Sequence, residues 1–357
     1  MRAWASQSVA EGYVRYTHRK VALVFLLALL TFAVAVFAIN AGSAELSPAE
    51  VLLTLLGKAE ERLQIIVWGI RLPRVLAAIT AGVGLSVAGC VMQSILRNPL
   101  ASPFTLGVSQ GAAFGAAVAI IALGAGSTHS TSADAVIIDN PYVVTVCAFV
   151  GALATTLVVL LLAQVKGVTP EAMVLGGVAL GSLFSAATVI LQYFASEVQV
   201  ASVVFWTFGD IGRASWRDLG IMAVTVGGAL LYFLLNRWNY NALDSGEETA
   251  RGLGVDVEKV RLAGMFASSL VTAVVVSFLG IIGFVGLVGP HTMRRVLGND
   301  HRFLIPGSSV MGGLLLLGAD TLARTVISPV VLPVGAITSF LGAPLFLYLL
   351  CKGRGRR

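Results

Sequence analysis

The chain has 357 residues, of which 57% are hydrophobic and 12% charged, with a mean hydropathy of +0.89. Soluble domains carry about 25% charged residues, and half that value over this length leaves too little polar surface to coat a water-soluble fold. The net charge of +6 sits on Lys and Arg residues in loops between apolar runs, with no clustered basic face and no interleaved aromatics, which excludes a nucleic-acid partner.

The apolar runs reach roughly 20 residues, long enough for a helix to cross a hydrocarbon core of about 30 Å. Lipid admits only helices or a closed barrel, and barrel strands read as alternating segments of about 10 residues. The runs here are long and unbroken, so the sequence predicts an all-α polytopic membrane protein embedded in lipid.

In chain order, residues 1–20 read as a cytosolic segment whose Arg15, Arg19 and Lys20 hold the start of a first span, 21–39, inside. That span outruns the h-region of a secretory signal, about 7–15 residues, and is read as retained. Residues 40–64 carry Glu45, Glu50, Glu60 and Glu61 on the outer side. RLPR at 71–74 leads into the second span, 74–96, with Pro73 suited to a first helical turn. RNPLASP at 97–103 is an inner turn fixed by two prolines, in which Asn98 satisfies local backbone groups.

The third span is 104–124. A Gly-, Ser-, Thr- and Asp-rich outer loop follows at 125–141, then the fourth span, 142–164. Thr169, Pro170 and Glu171 form an N-cap signature for the fifth span, 171–194. A short amphipathic piece at 200–212 does not span. Trp206, Trp216 and Tyr193 suit an outer aromatic belt. The sixth span is 217–235, the seventh 261–279, the eighth 281–297, the ninth 303–323 and the tenth 334–351, before a basic cytosolic tail at 352–357. Residues 21–351 are thus one domain of about ten transmembrane helices, with both termini in the cytosol.

Charge supports this parity. Of the 24 Lys and Arg residues, only Lys58, Arg62, Arg71, Arg74, Arg213, Arg217 and Arg324 fall outside, and the other 17 lie on the inner side, as the positive-inside rule requires.

Small residues recur at helical spacing: Gly111 and Gly115, Gly177 and Gly181, Gly82 and Ser86, Gly84 and Ala88, and Gly280, Gly283, Gly286 and Gly289. Such patterns let helix backbones approach closely in lipid. Cys90, Cys147 and Cys351 are far apart and read as packing residues, with neither a metal site nor a disulfide. No GxxxxGK[ST], HExxH or GxSxG occurs, so neither ATP binding through a P-loop nor a hydrolytic centre is encoded. His291 reads as a structural residue at a helix end. Apart from Asp320 and Arg324, placed to pair four residues apart, the spans hold almost no charge, which disfavours an ion-coupled carrier.

The inner stretch 241–261 is too long for a plain helix connection, about 2–8 residues. Ser245 and Glu248 form a capping-box pattern for a short helix starting at Gly246. Gly252 and Gly254 are placed to end it, and Asp256 to cap the next helix through Lys259 and Arg261. The stretch is a solvated connector or a docking knob for a cytosolic partner. Arg71, Arg74 and Arg324 stand on the less basic side. They are paired locally, or they anchor acidic groups of an outer partner.

RLPR, RNPLASPFTLGVSQGAA, SGEETARGLGV, GFVGLVGPHTMRRVLGNDHRFLIP, LLLGADTLAR and LPVGAITSFLGAPLFLYLL, in this order over about residues 71–350, resemble the FecCD-type permeases of ABC importers for ferric siderophores, haem or cobalamin. The resemblance implies the type II ABC importer permease fold and a subunit that is not itself an enzyme. It implies several partners: a second permease subunit, homodimeric or heterodimeric, a cytosolic ABC ATPase dimer that binds ATP and Mg, and an extracytoplasmic substrate-binding protein. The chain would carry no cofactor and no metal, and would sit in the cytoplasmic (inner) membrane of a prokaryote.

By the same resemblance, the ATPase-coupling residues are Leu243, Ser245, Gly246, Glu247, Glu248, Thr249, Ala250, Arg251, Gly252, Leu253 and Gly254. Arg71, Arg74 and Arg324 would meet the binding protein. Asn98, Leu100, Thr169 and Pro170 would form the inner gate, and the fifth and tenth spans would face the path. The cargo implied is a metal chelate, ferric siderophore first. The chain departs from the family pattern at Gly289, where many relatives have a large aliphatic residue, and at Pro170 and Glu171.

Overall fold

A computed structural model describes residues 2–42, 46–125, 140–166, 169–328 and 330–353. Most of the outer loop expected at 125–141, Glu45 and most of the basic tail lie outside the described residues.

Every regular element among the described residues is helical. The chain opens with α1 (Arg2–Asn40) and α2 (Pro48–Leu55). Next comes α3 (Glu61–Ile95), which passes through a π-helical stretch at Ile65–Arg71, and then α4 (Val108–Ala122), whose last turn is also π-helical. These are followed by α5 (Pro141–Lys166), α6 (Pro170–Tyr193), α7 (Glu197–Thr207) and α8 (Trp216–Leu235). The chain continues with α9 (Arg237–Asp244), α10 (Glu247–Gly252) and α11 (Val257–Leu279). It closes with α12 (Val285–Leu297), α13 (His301–Thr325) and α14 (Val334–Gly353).

By length and composition, α1, α3, α5, α6, α8, α11 and α13 can each cross a membrane, and α4 and α14 are apolar but shorter. The eighth predicted span, 281–297, becomes helical later than expected. Its helix, α12, has 13 residues and a rise of about 20 Å. The segment still runs from the Asp210 end of the bundle to the Arg294 end, because the non-helical residues 280–284 ahead of the helix cover the remaining distance. The chain leaves the helix at Gly280 (φ 78°) and turns at Phe284 (φ 65°) before α12 begins. Only Gly286 and Gly289 of the four-glycine series therefore lie on that helix. Non-helical backbone of this kind survives at membrane depth only where protein surrounds it. Here the Asp210 amide donates to the Leu279 carbonyl, and the Val334 and Gly335 amides donate to the carbonyls of Gly209 and Phe208. The second span also begins earlier than expected. Pro73 lies inside a helix that starts at Glu61, and the π-helical turn ahead of it accommodates the missing donor.

The axis of the bundle is α3, whose most apolar window is 78% buried. Small residues bring its neighbours to backbone contact. A Cβ on Gly82 would fall 2.2 Å from the Gly312 carbonyl oxygen of α13, and one on Gly89 would fall 1.8 Å from the Gly286 carbonyl oxygen of α12. Between these contacts Ser86 donates to the Ser308 carbonyl, 2.7 Å away. Gly111 and Gly115 meet Gly151 and Cys147 of α5 in the same way, and Gly177 meets Leu106. The small-residue patterns are thus packing contacts. Cys90 and Cys147 are free thiols within this packing.

The aromatic-belt expectation divides. Tyr193 is exposed, and Trp216 donates from Nε1 to the Trp68 carbonyl beside the Trp68 ring. Trp206 is buried, because α7 folds back onto α4, α5 and α11 and the indole fills that junction.

Gly89→Val is expected to lower the unfolding temperature of the purified protein, with an overpacking cost of about 1–3 kcal/mol or more. Gly227→Ala should not lower it, because nothing outside its own helix turn and chain neighbours lies within 4 Å of that added Cβ and alanine is the better helix former. Thermal unfolding in detergent, followed by size-exclusion fluorescence, separates the two.

Candidate functional site

Polar groups concentrate at the two ends of the bundle. The foot end carries residues 97–103, 236–256 and 294–302; the far end carries 40–42, 71–74, 209–213 and 320–324.

At the foot end, α9 and α10 form a compact projection. Tyr240, Leu243 and Ala250 are fully buried against the bundle, whereas Ser245, Glu248, Thr249, Arg251, Gly252, Leu253 and Gly254 are exposed, Leu253 to 69%. The coupling residues read from the sequence therefore separate into roots (Leu243, Ala250 and the half-buried Glu247) and a free face.

The capping box expected from Ser245 does not form. Ser245 ends α9, its Oγ donates to the Asn241 carbonyl, and α10 starts after Gly246 (φ 118°) without a side-chain cap. The preceding helix uses the hydroxyl first. Gly254 takes the left-handed turn (φ 82°), whereas Gly252 is the last helical residue. Asp256 caps α11 as expected, accepting from the Lys259 amide at 3.1 Å. Its pairing with Lys259 holds the Asp256 carboxyl below its ordinary pKa.

Two ties fasten the foot to the last turn of α3. His301 Nε2 lies 2.9 Å from Ser94 Oγ and 3.2 Å from Asp244 Oδ2, with Arg294 Nη1 3.4 Å from the same carboxylate. Burial acts to raise the Asp244 pKa, but the hydrogen bond and charge of His301 and the charge of Arg294 outweigh it and hold the carboxyl below its ordinary value. In the second tie, the buried Arg261 donates from Nε to the Ile95 carbonyl at 2.9 Å and from Nη2 to Glu247 Oε1. Sequence reasoning missed His301, Asp244, Ser94 and the Arg261–Glu247 pair as a connected set. Arg261 was legible only as a basic residue at a span's start, and its partners lie 14 and 166 positions away.

The residues expected at the inner gate take local roles. Asn98 Oδ1 accepts from the Leu100 amide at 2.9 Å, and Leu100 is 46% exposed. Arg97, just before, is a non-glycine residue at φ 47°. Thr169 caps α6 through the Ala172 amide, and Pro170 is its first residue. A cavity of about 260 Å³ joins Asn98, Pro99, Arg97 and Gln93 to Asp244, Arg294 and Asn299; Thr169 and Pro170 do not line it. A separate groove of about 570 Å³ runs between α4 and α6, with Gln110, Thr105, Ser182 and Ser185 among its lining.

At the far end, Arg71, Arg74 and Arg324 all turn inward. Arg74 grips Asp320 through Nε and Nη2 at 2.8–3.1 Å and approaches Asp210 at 3.8 Å. Arg324 binds the same Asp320 at 3.1 Å, the pairing its spacing predicts. Arg71 donates to the carbonyls of Ile39 and Asn40, and Arg324 to those of Ala38 and Ala41. The last turn of a helix leaves its carbonyls without intrahelical donors, and here two arginines from other helices supply them for α1. The local pairing that the sequence allowed for these arginines is formed at all three.

Many apolar helices wound around α3, with no nucleotide-binding loop and a polar projection at one end, define a multi-pass membrane permease. The chain belongs to the FecCD transport family, whose sequence model matches residues 27–352. It is 53% identical over 344 residues to MJ0087 of Methanocaldococcus jannaschii, a protein assigned as an ABC transporter permease, covering 96% of this chain and 98% of that one. It is 38% identical over 292 residues to the hemin transport system permease protein HmuU of Yersinia pestis, covering 82% and 85% of the two chains. Its fold superposes with a TM-score of 0.80, at 31% identity, on the inward-facing structure of a transporter assigned to the metal-chelate ABC type, covering 93% and 99%. The chain is thus a permease of the metal-chelate class of ABC importers, as its motifs imply.

Asp320→Asn is expected to destabilise the protein by roughly 3–5 kcal/mol, because it leaves Arg74 and Arg324 buried without their shared charge; chemical unfolding in detergent measures this. Asp244 is held below its ordinary pKa, so its contribution is complete above the unfolded carboxylate value of 3.8 and is lost as pH falls through the folded value. The protection factors of the α9 amides should hold from neutral pH down to that range and fall below it. Asp244→Asn should exchange fast already at neutral pH.

Proposed function

We propose that this chain is the membrane subunit of an ATP-driven importer and that its foot (α9, α10 and the turn to α11) receives the stroke of a cytosolic ATPase dimer. The observation that carries this reading is the division of the foot. Buried Tyr240, Leu243 and Ala250 root it, while Glu248, Thr249, Arg251 and Leu253 present a small mixed polar and apolar face to a partner. A rooted projection transmits force, whereas a solvated connector would have no buried roots. ATP and Mg bind the partner, since this chain has no P-loop.

On this reading the foot end faces the cytosol, both termini lie there, and the membrane is the cytoplasmic membrane of a prokaryote. A second permease subunit, identical or a sister chain, packs against the exposed faces of α6 and α14, where Leu175 and Phe340 are 74% and 79% exposed, and the path runs between the two. Asn98, Leu100, Thr169 and Pro170 form the inner gate. A substrate-binding protein docks at the far end, on a surface shaped by Arg71, Arg74 and Arg324 through their internal network. ATP binding biases the pair between outward-open and inward-open states.

The cargo is a metal chelate, with ferric siderophore first, as the commonest cargo of the family, and haem or cobalamin as the alternatives, each carried by a named relative of similar identity.

In proteoliposomes with the ATPase and binding protein, uptake of a ferric hydroxamate or of hemin should require internal MgATP. Glu248→Arg combined with Leu253→Asp, both on the free face, should lower ATPase binding and uptake by about ten-fold or more, as loss of a central contact does. Normal uptake by that variant, or uptake driven by a proton gradient without ATP, would refute the reading.

A further inference from the structure

We propose that Arg261 is a positioning residue that carries motion of the foot to the inner gate, through a chain of contacts from Glu247 by way of Arg261 to the Ile95 carbonyl. The inference rests on the foot being the point of energy input.

Glu247 is in the first turn of α10, and its carboxylate is held by Arg261 Nη2. Arg261 belongs to α11 and is only 1% exposed. Its Nε donates to the carbonyl of Ile95, the last residue of α3. One planar guanidinium thus spans the foot and the end of the axial helix. A guanidinium offers donors fixed in one plane, so displacing one partner displaces the other; a lysine ammonium is a single point and cannot hold both in a set geometry.

Three further observations place a movable element directly beyond the contact. Arg97, two residues after Ile95, is exposed and sits in the left-handed region at φ 47°, a conformation that costs a non-glycine residue energy and that recurs at switching segments. Asn98 and Leu100 follow it in a turn closed by their own hydrogen bond. Beside that turn lies the cavity of about 260 Å³, where the buried Gln93 side-chain amide has no hydrogen-bond partner among the described residues. The turn thus borders open space on the side of Gln93, Asp244 and Arg294.

The chain is thus gripped at Ile95, left-handed at Arg97, and joined to the turn at 98–100 by the Asn98 amide, which donates to the Gln93 carbonyl, so a displacement of the α3 end is passed directly to that turn. The Ser94–His301–Asp244 tie grips the preceding residue from the same foot. It acts in parallel, so loss of Arg261 alone weakens the transmission and loss of both ends it.

The test uses the assembled complex of permease, ATPase and binding protein in lipid. Amide exchange is followed over 93–103 with and without MgATP. In the unaltered protein MgATP should change exchange across this segment. Arg261→Lys, which keeps the charge and loses the fork, should cut that response by about half or more, and Glu247→Gln should do the same. Arg261→Lys combined with His301→Gln should abolish it. A residue that only stabilises the fold would raise exchange equally in both nucleotide conditions, and lysine would largely rescue it.

A full MgATP response in Arg261→Lys and in Glu247→Gln would overturn the proposal. If the double variant does not fold, the two single variants decide, since Glu247 is partly exposed and its amide replacement leaves the Ile95 contact in place. An unaltered complex with no MgATP response at 93–103 would also overturn it. Should that complex still import cargo with ATP, the importer reading stands and only the relay falls.

Discussion

The close approach of α13 and α12 to α3 sets the rest of the architecture. Backbone meets backbone at Gly82 with Gly312 and at Gly89 with Gly286, so no side chain separates the axial helix from its two neighbours. In lipid, helix association draws on such packing, because apolar side chains gain little by leaving acyl chains for one another. With α3 fixed in this way, its two ends become fixed points, and the polar clusters of the molecule gather at them.

At the far end, the charges satisfy what the helices leave unsatisfied. Asp320 is fully buried and shared by Arg74 and Arg324, while Arg71 and Arg324 donate to the terminal carbonyls of α1. Each charge has a counter-charge or carbonyls to meet, the condition under which buried ions persist. At the foot end the polar contacts bridge separate elements: α9 to α13 through Asp244 and His301, and α10 to α3 through Glu247 and Arg261. They sit beside an open cavity and a left-handed Arg97. Both ends are tied across helices, the far end through one shared carboxylate and the foot through two separate ties.

The glycine-rich stretch 280–289 shows how a correct residue-level reading can misplace where a helix begins. Glycines every third position suit a close-packed helix, and Gly286 serves in that way against α3. The same spacing also fits a break, because glycine tolerates the φ of 78° found at Gly280. Which outcome wins depends on whether other chain segments can satisfy the released backbone groups, and here residues 208–210 and 334–335 pack against the break. Ser245 makes the same point on a smaller scale, since its hydroxyl serves the helix before it rather than the one after.

The sequence alone determined the helical membrane class, the family, the small-residue contacts, the caps at Thr169 and Asp256 and the Asp320–Arg324 pair. Each of these follows from composition, from motif order or from residues within a few positions of one another, where helix geometry fixes who meets whom. The tertiary structure decided that α12 is a short helix behind a broken backbone, that Trp206 is interior, that Arg71 and Arg74 face inward, and that Arg261 joins Glu247 to Ile95. Those outcomes depend on groups separated by tens to hundreds of positions, and a carbonyl that accepts from a distant guanidinium leaves no mark in the order of side chains.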